Sequence, residues 1–226
     1  MARIPAAERR AELVAAAVRM IAAHGVEGAT TRRIAQEANA PLATLHYCFD
    51  SKEVLFAAVF EHVGQQYREV LTRNDVHGDV PTTGRALLRG LLEWYVANPE
   101  FGAATVELIS WAQRQDCEHG ETVYNEAFAT IRAILAAATT AAGRPVDATI
   151  ISELTHIVSV LADGFALNWL VFTNRTAAEP QIEITVGVLD TWMAARLGDS
   201  AGSAAQPSKD SPAPTLRSLV SWVSVD

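Results

Sequence analysis

The segment at residues 30–49 constrains the fold of this chain most, because it fits two short helices joined by a tight turn. Two helices cross closely only where a small residue lies between them, and Ala35 meets that need. Asn39, four positions later, tolerates the positive φ that the turn requires, although less easily than glycine would. Leu45, six residues after Asn39, is a large apolar anchor on the side of the second helix that faces the first.

The two faces of the second predicted helix differ in character. Its inward contact with the first helix is completed by apolar residues: Ile34, Ala38, Ala40 and Phe49. Its outward face, flanked by Thr44, is left with Leu42, Ala43, His46 and Tyr47. The pattern predicts a helix-turn-helix whose second helix enters a DNA major groove. The same spacing also fits an ordinary αα-hairpin, which remains the alternative on spacing alone.

Helical periodicity and turn residues divide the rest of the chain. Apolar residues three and four apart, with only 7% aromatic residues, indicate an all-α fold. We expect Gly25 to end the first helix with positive φ, and either Asp50 or Ser51 to cap the fourth, Asp50 with Glu53 fitting a capping box. About nine helices are predicted, near residues 6–23, 31–38, 42–48, 51–73, 82–97, 100–115, 120–142, 147–173 and 178–197.

The net charge of −8 argues at first against a nucleic-acid partner. Residues 1–53, however, carry seven Lys or Arg and six Asp or Glu, so the negative excess lies in the remainder. A near-neutral head with clustered cations can bind a phosphate backbone locally, while an acidic remainder repels DNA and helps to orient the head.

Several features indicate a cytoplasmic protein without a membrane partner. The two cysteines, Cys48 and Cys117, are far apart and form no disulfide framework. The N-terminus has no signal-peptide pattern. The longest apolar stretch, residues 150–172, is interrupted by polar residues and is predicted to be a buried or interfacial helix.

Enzyme motifs are missing from the sequence. There is no P-loop, no GxGxxG after a strand, no HExxH and no GxSxG. Glu61-His62 and Glu118-His119 are adjacent pairs whose side chains point in different directions. We therefore expect no catalytic residue, no metal site and no cofactor.

The stretch TTRRIAQEANAPLATLHYCFDSKEVLF resembles the DNA-binding signature of the tetracycline-repressor (TetR) family. The resemblance covers about residues 8–60 and rests on Ile34-Ala35, the turn at Asn39, the run TLHYCF at residues 44–49 and the SKE at residues 51–53. Four positions depart from the family pattern and leave the expected fold intact: Asn39, Pro41, His46 and Cys48.

The resemblance implies roles for the residues of this head. The residues expected at phosphates are Thr31, Arg32, Thr44, Tyr47 and Lys52. Those expected at bases are Leu42, Ala43 and His46. The simpler alternatives are a solvated lysine at position 52, an exposed histidine at position 46, and pairing of Arg32 or Arg33 with Glu37.

The last two long helices resemble the dimerisation helices of the family. The residues expected at a homodimer interface are Leu161, Gly164, Phe165, Val188, Leu189 and Trp192. The alternative is that these residues fill the core of the single chain. A dimer would place two recognition helices about one DNA turn apart on a near-palindromic, double-stranded operator.

The middle helices are expected to enclose a site for a small apolar or aromatic effector, whose identity is unknown. The residues expected to line it are Trp94, Tyr95, Glu107, Trp111, Tyr124, Phe128, His156, Asn168 and Trp169. Each of these aromatic residues has the alternative of being ordinary core.

The predicted organisation is a DNA-binding domain at residues 1–53, a helical ligand-binding and dimerisation domain at residues 54–197, and a largely disordered tail at residues 198–226. The function that this implies is a ligand-responsive transcriptional regulator, in the commonest mode a repressor that its effector releases by moving the fourth helix. The alternative is a helical small-molecule-binding protein without specific DNA binding.

Overall fold

The expected all-α class is confirmed by the computed structural model, which describes residues 5–114, 119–141, 143, 146–172 and 177–199. This part of the chain holds nine helices and no strand. They are α1 Ala6–Gly28, α2 Thr31–Glu37, α3 Leu42–Cys48, α4 Lys52–Arg73, α5 Val80–Ala97, α6 Pro99–Arg114, α7 His119–Ala141, α8 Ala148–Phe172 and α9 Ala178–Asp199. Residues 200–226 of the predicted tail, with Cys117 and Glu118, lie outside the described residues.

Short polar side chains cap α2 and α4, whereas α1 and α3 follow Pro5 and Pro41 without a side-chain cap. Thr30 Oγ1 accepts a hydrogen bond from the Arg33 amide at 3.3 Å and so caps α2. Ser51 Oγ accepts from the Val54 amide at 3.3 Å and caps α4. The predicted Asp50–Glu53 capping box is therefore wrong. With Ser51 at the cap, Glu53 is only the second residue of the helix, not the third residue that such a box requires.

Gly25 interrupts α1 without ending it. Its φ of 69° confirms the predicted positive value, but the chain returns to helical geometry at the next residues, so the glycine forms a kink and the helix is assigned to Gly28. A side chain at this position would be strained by the φ and would come 3.4 Å from Glu107 Oε2. The kink thus brings the end of α1 close to α6.

One continuous apolar cluster runs from Leu13 in α1 to Met193 in α9. We call α1–α3 with the first turn of α4 the head, and the remainder of α4 with α5–α9 the body. Helix α1 packs on both α4 and α6, and α5 contacts α7, α8 and α9 in the body. Because the apolar cluster is continuous between head and body, a rearrangement of helices in one is transmitted to the other by direct packing contacts.

Helix α8 contains the longest apolar stretch of the chain. Of the helices described, it is the one that is long and apolar enough to cross a membrane, with 44% of its most apolar window buried in the fold. It packs against α5, α6, α7 and α9, as expected for a buried or interfacial helix.

Candidate nucleic-acid interface and ligand cavity

The turn between α2 and α3 has the geometry that its sequence predicts. Ala35 and Leu45 are buried, with 2% and 1% of their surfaces exposed. Asn39 has a φ of 49°. The amide of Ala40 donates to the Ala35 carbonyl at 2.9 Å, and the amide of Asn39 donates to the Gln36 carbonyl at 3.1 Å. These two bonds form a Schellman motif, which ends α2 and fixes the angle at which α3 leaves it.

The outward face of α3 is open to solvent. Tyr47 is 80% exposed and Leu42 40% exposed. Ala43 and His46 are also exposed, whereas Thr44 is half-buried at the flank. Four of the residues predicted to contact DNA on α3 are therefore accessible together, on a helix whose opposite side is anchored in the core.

The cations of α2 differ in their partners. Arg33 Nη1 donates to the Gly28 carbonyl at 3.3 Å. The carboxylate of Glu37 pairs with Arg19 Nε at 2.7 Å, so the alternative pairing of Glu37 with Arg32 or Arg33 is wrong. Arg32 is exposed, and Thr31 beside it is half-buried at the start of α2.

Lys52 turns inward at the start of α4. Its Nζ lies 3.5 Å from the Val26 carbonyl and 4.9 Å from the centre of the Phe56 ring. The side chain is half-buried, so the alternative of a fully solvated lysine does not hold. In this position Lys52 links α4 to the end of α1.

Arg10 is a residue of the head that the sequence analysis missed. Its Nη1 donates to the Cys48 carbonyl at 2.6 Å, and its guanidinium carbon lies 4.1 Å from the centre of the Phe49 ring. The two residues of the hydrogen bond are 38 positions apart, so no local spacing could have paired them. Arg10 thereby satisfies a free carbonyl at the last residue of α3.

A cavity lies in the body between α4, α5, α6, α7 and α8. It has two parts with a partly shared lining: a more enclosed inner part of about 30 Å³ and a more open outer part of about 240 Å³. Residues that border both parts include Tyr67, Tyr95, Thr105, Tyr124 and Asp163. The predicted residues Tyr95 and Tyr124 lie here. The sequence analysis missed Tyr67, Thr105 and Asp163, because each is an isolated polar residue that belongs to no recognisable sequence pattern.

The polar groups of this cavity bond to one another. Tyr124 Oη donates to Asp163 Oδ2 at 3.0 Å, and the hydroxyls of Tyr67 and Tyr95 lie 2.5 Å apart. Burial raises the pKa of Tyr67 to about 12 and raises the pKa of Tyr95 and of Tyr124 above the usual range. Burial also raises the pKa of the Asp163 carboxyl, against a lowering effect of the Tyr124 hydrogen bond.

Three predicted ligand residues lie in aromatic or apolar packing beside the cavity. The Trp94 ring is 4.7 Å from that of Phe101, centre to centre. Trp111 meets Phe56 edge-on at 5.6 Å, which joins α6 to α4. Trp169 is buried and stacks on Phe165 at 6.1 Å. None of the three borders either part of the cavity, so for each the structure favours core packing.

The remaining predicted ligand residues also lie away from the cavity lining. Phe128 is half-buried beside Tyr124, with ring centres 5.9 Å apart. Glu107 and His156 are exposed, and Glu107 lies against Gly25 of α1. Asn168 is exposed as well and donates to the Gly164 carbonyl at 2.8 Å. Periodicity places these residues on the right helices but cannot say which way each helix is rotated in the bundle.

An exposed apolar surface covers one side of α8 and α9. Of the residues predicted at a dimer interface, Gly164 and Val188 are exposed and Leu161 and Trp192 are half-buried. Phe165 and Leu189 are 7% and 0% exposed, so these two fill the core of the single chain. The large apolar side chains on this surface that the sequence analysis missed are Val160, Leu167, Val171, Phe172 and Ile184.

Known proteins share both the sequence of the head and the overall fold. Residues 13–59 match the model of the bacterial regulatory proteins of the tetR family. The HTH-type nicotine-responsive transcriptional repressor HdnoR of Paenarthrobacter nicotinovorans is 32% identical over 171 residues, covering 74% of this chain and 86% of that protein.

Solved structures extend the similarity to the body. A TetR transcription regulator from Haloarcula marismortui superposes with a TM-score of 0.63 at 21% identity, covering 82% of this chain and 98% of its own. The multidrug binding protein EbrR, crystallised with imidazole, has a TM-score of 0.56 at 26% identity and covers 80% of this chain and 94% of its own. A share of 80% or more of this chain extends well beyond the head.

Proposed function

Since this chain belongs to the tetR family and is a ligand-responsive, DNA-binding transcriptional regulator, we propose that it acts as a cytoplasmic homodimeric repressor that a small effector releases from DNA. The residues proposed to contact DNA are Thr31, Arg32, Leu42, Ala43, Thr44, His46, Tyr47 and Lys52. The observation that carries this proposal is the exposed face of α3, whose opposite side is anchored in the core by the buried Leu45.

Helix α4 supports a coupling between effector and DNA. It begins at Lys52 in the head, and Tyr67, fifteen residues further on, borders the cavity. At 1.5 Å per residue, Lys52 and Tyr67 are about 22 Å apart along the helix. A ligand that displaces Tyr67 would tilt α4 and so change the separation of two recognition helices in a dimer.

Helix α6 supplies a second connection. Thr105 and Ile109 border the cavity, while Glu107 between them faces the kink at Gly25 of α1. Helix α1 also holds Arg10, which bonds the end of α3. A ligand that moves α6 would therefore act on the recognition helix through α1 as well as through α4.

Exposed apolar side chains support dimerisation through α8 and α9. Val160, Leu167 and Val171 on α8 and Ile184 and Val188 on α9 are between 48% and 72% exposed in the single chain. Such a surface on a protein of this size usually marks an interface. A twofold dimer would present two copies of α3 to successive turns of one DNA face.

The test is binding of the full chain to DNA from upstream of its own gene and to a scrambled duplex, by fluorescence anisotropy over a range of salt. We expect selective binding whose log–log salt slope is about −5 to −7, as six to eight phosphate contacts per dimer would give. Equal, weak binding to these and to a genomic library would favour the alternative, a helical small-molecule-binding protein without specific DNA recognition.

The His46→Ala variant tests base recognition on the same assay. We expect it to weaken binding to the operator more than binding to scrambled DNA, because His46 is exposed on α3 and is proposed to contact bases. His77→Asn, which removes an exposed histidine from the loop between α4 and α5 and tolerates the φ of 51° there, is the control and should leave both affinities unchanged. Equal losses on both duplexes would contradict a role in base recognition.

A further inference from the structure

The cavity of the body contains one carboxylate and no compensating cation. Asp163 borders both the inner and the outer part, so it lies at the junction between them. Among the described residues that line either part there is no lysine, arginine or histidine. In the described chain, the hydrogen bond to this carboxylate comes from Tyr124. An ionised carboxyl has about four acceptor sites, so in this position most of its hydrogen-bonding capacity is unmet by the described residues.

Burying such a group without a partner costs free energy. Proteins that keep a half-buried carboxylate usually pair it with a cation or a metal. The described residues offer no group of three or more metal-binding side chains, so the geometry does not favour a metal ion here. A positive charge supplied by a bound molecule would offset the cost.

Aromatic rings border the same junction. Tyr67 of α4, Tyr95 of α5 and Tyr124 of α7 line both parts of the cavity, and their hydroxyls already bond to one another or to Asp163. Tyrosine rings attract organic cations through their π electrons, most strongly where water is excluded. Three such rings beside one carboxylate form an environment suited to a positive charge on an organic molecule.

The remaining lining is apolar or neutral. The inner part ends among Leu71, Leu91 and Ile131, and the outer part passes Val106 and Leu167. With about 30 Å³ inside and about 240 Å³ outside, a charge at the junction leaves room for a small substituent inward and a larger apolar body outward.

We propose that the effector of this regulator is a small organic cation, a protonated amine on an apolar or aromatic body, whose charge lies against Asp163 and the rings of Tyr67, Tyr95 and Tyr124. The proposal rests on the proposed function, since it names the class of molecule that the cavity takes. It excludes organic anions, because a carboxylate of the ligand would meet Asp163 without an intervening cation.

Three probes that differ mainly in charge test this inference. They are 2-phenylethylammonium, 2-phenylethanol and phenylacetate, whose affinities for the full-length protein are measured by isothermal titration calorimetry. We expect the ammonium compound to bind about tenfold or more tightly than the alcohol, which corresponds to about 1.4 kcal/mol, and the carboxylate to bind more weakly than both.

Two variants locate the charge that is recognised. Asp163→Asn keeps the size of the side chain and an oxygen for Tyr124, and should reduce affinity for the ammonium compound to that of the alcohol. Glu121→Gln removes one negative charge from an exposed position on α7 and should leave all three affinities unchanged. Circular dichroism of each variant reports whether the fold is retained.

The possible outcomes distinguish failure of this proposal from failure of the proposed function. Loss of the charge preference in Asp163→Asn, with binding of the alcohol retained, supports the proposal. An ammonium compound that binds no better than the alcohol, or equally well to Asp163→Asn and to the parent protein, overturns it. Failure of the regulator itself would be seen instead as unselective DNA binding without any ligand, a measurement that does not depend on Asp163.

Discussion

Arg10 Nη1 donates a hydrogen bond to the carbonyl oxygen of Cys48 at 2.6 Å, so a cation of α1 closes the C-terminal end of α3. The same guanidinium lies over the ring of Phe49, which follows α3 in the chain. Cations are favourable at helix C-termini, where free carbonyls concentrate partial negative charge. The recognition helix is thus held at its C-terminal end by a residue of another helix, 38 positions earlier in the chain.

We predict that Arg10→Met lowers the free energy of unfolding by about 1 kcal/mol, because one hydrogen bond to a charged donor and one cation–π contact are lost at an exposed site. Urea denaturation measures this effect. Operator affinity should fall as well, since α3 is less firmly held. Arg132→Met, the same change at an exposed position of α7, is the control. A variant as stable and as tightly DNA-bound as the control would contradict the role of Arg10.

Asn39→Gly should stabilise the head. Asn39 has a φ of 49°, a region in which glycine has no steric cost, so we expect a gain of about 0.5 kcal/mol in the free energy of unfolding. Asn125→Gly makes the same exchange inside α7 and should instead lose about 0.3 kcal/mol, because glycine is the poorer helix former. Urea melts of both variants give the comparison, and a loss at both positions would argue against strain at the turn.

Val188→Arg tests the proposed interface of α8 and α9. Val188 is 51% exposed in the single chain, so arginine fits the monomer but places a charge in a dimer interface. We expect sedimentation velocity to report a monomer and operator affinity to fall by about tenfold or more. Val76→Arg alters a loop residue that is also 51% exposed, and it should stay dimeric. Dimers of normal affinity in both variants would rule this surface out.

The raised pKa of Asp163 predicts how stability depends on pH without ligand. Burial favours the protonated carboxyl in the folded state, so the folded protein binds this proton more tightly than the unfolded chain does. Ionised Asp163 therefore costs stability that is absent below the unfolded pKa of about 4 and grows as pH rises through the folded pKa. Asp163→Asn removes this cost.

Melting temperatures of Asp163→Asn and the parent protein check the sign when they are measured at about pH 3.5, below the unfolded pKa of about 4, and at about pH 7. The advantage of the variant should be larger at the higher pH. The groups that face Asp163 from the neighbouring helices are Tyr67, Tyr95 and Tyr124, whose raised pKa values keep them neutral throughout this range. An advantage that shrinks with rising pH would show that the carboxylate is stabilised by its surroundings.

In the head, much of the structure can be predicted from local sequence. The burial of Ala35 and Leu45 between the two helices and the positive φ of Asn39 are predicted from residues within twenty positions of one another. Short helices and tight turns depend on local sterics and local hydrogen bonds, so the amino-acid sequence is sufficient to predict them. The family resemblance added the expected roles of the exposed residues on α3.

In the body, local sequence does not predict which side chains meet. Glu107 and Trp111 lie on a helix that borders the cavity, yet Glu107 faces α1 and Trp111 contacts Phe56 of α4. Periodicity gives each helix an apolar side, but a helix buried on several sides presents a different neighbour at every step of about 100°. Which neighbour each side chain meets depends on how all the helices pack together.

The sequence by itself therefore determined the helices, the turn of the head and the surface that α3 presents. Only the tertiary structure decided that Arg10 would reach Cys48, that Phe165 and Leu189 would face inward while Val188 faces outward, and that Asp163 would stand among three tyrosines. The physical reason is that these contacts join residues far apart in the chain, and their geometry is set by the packing of whole helices rather than by any local preference.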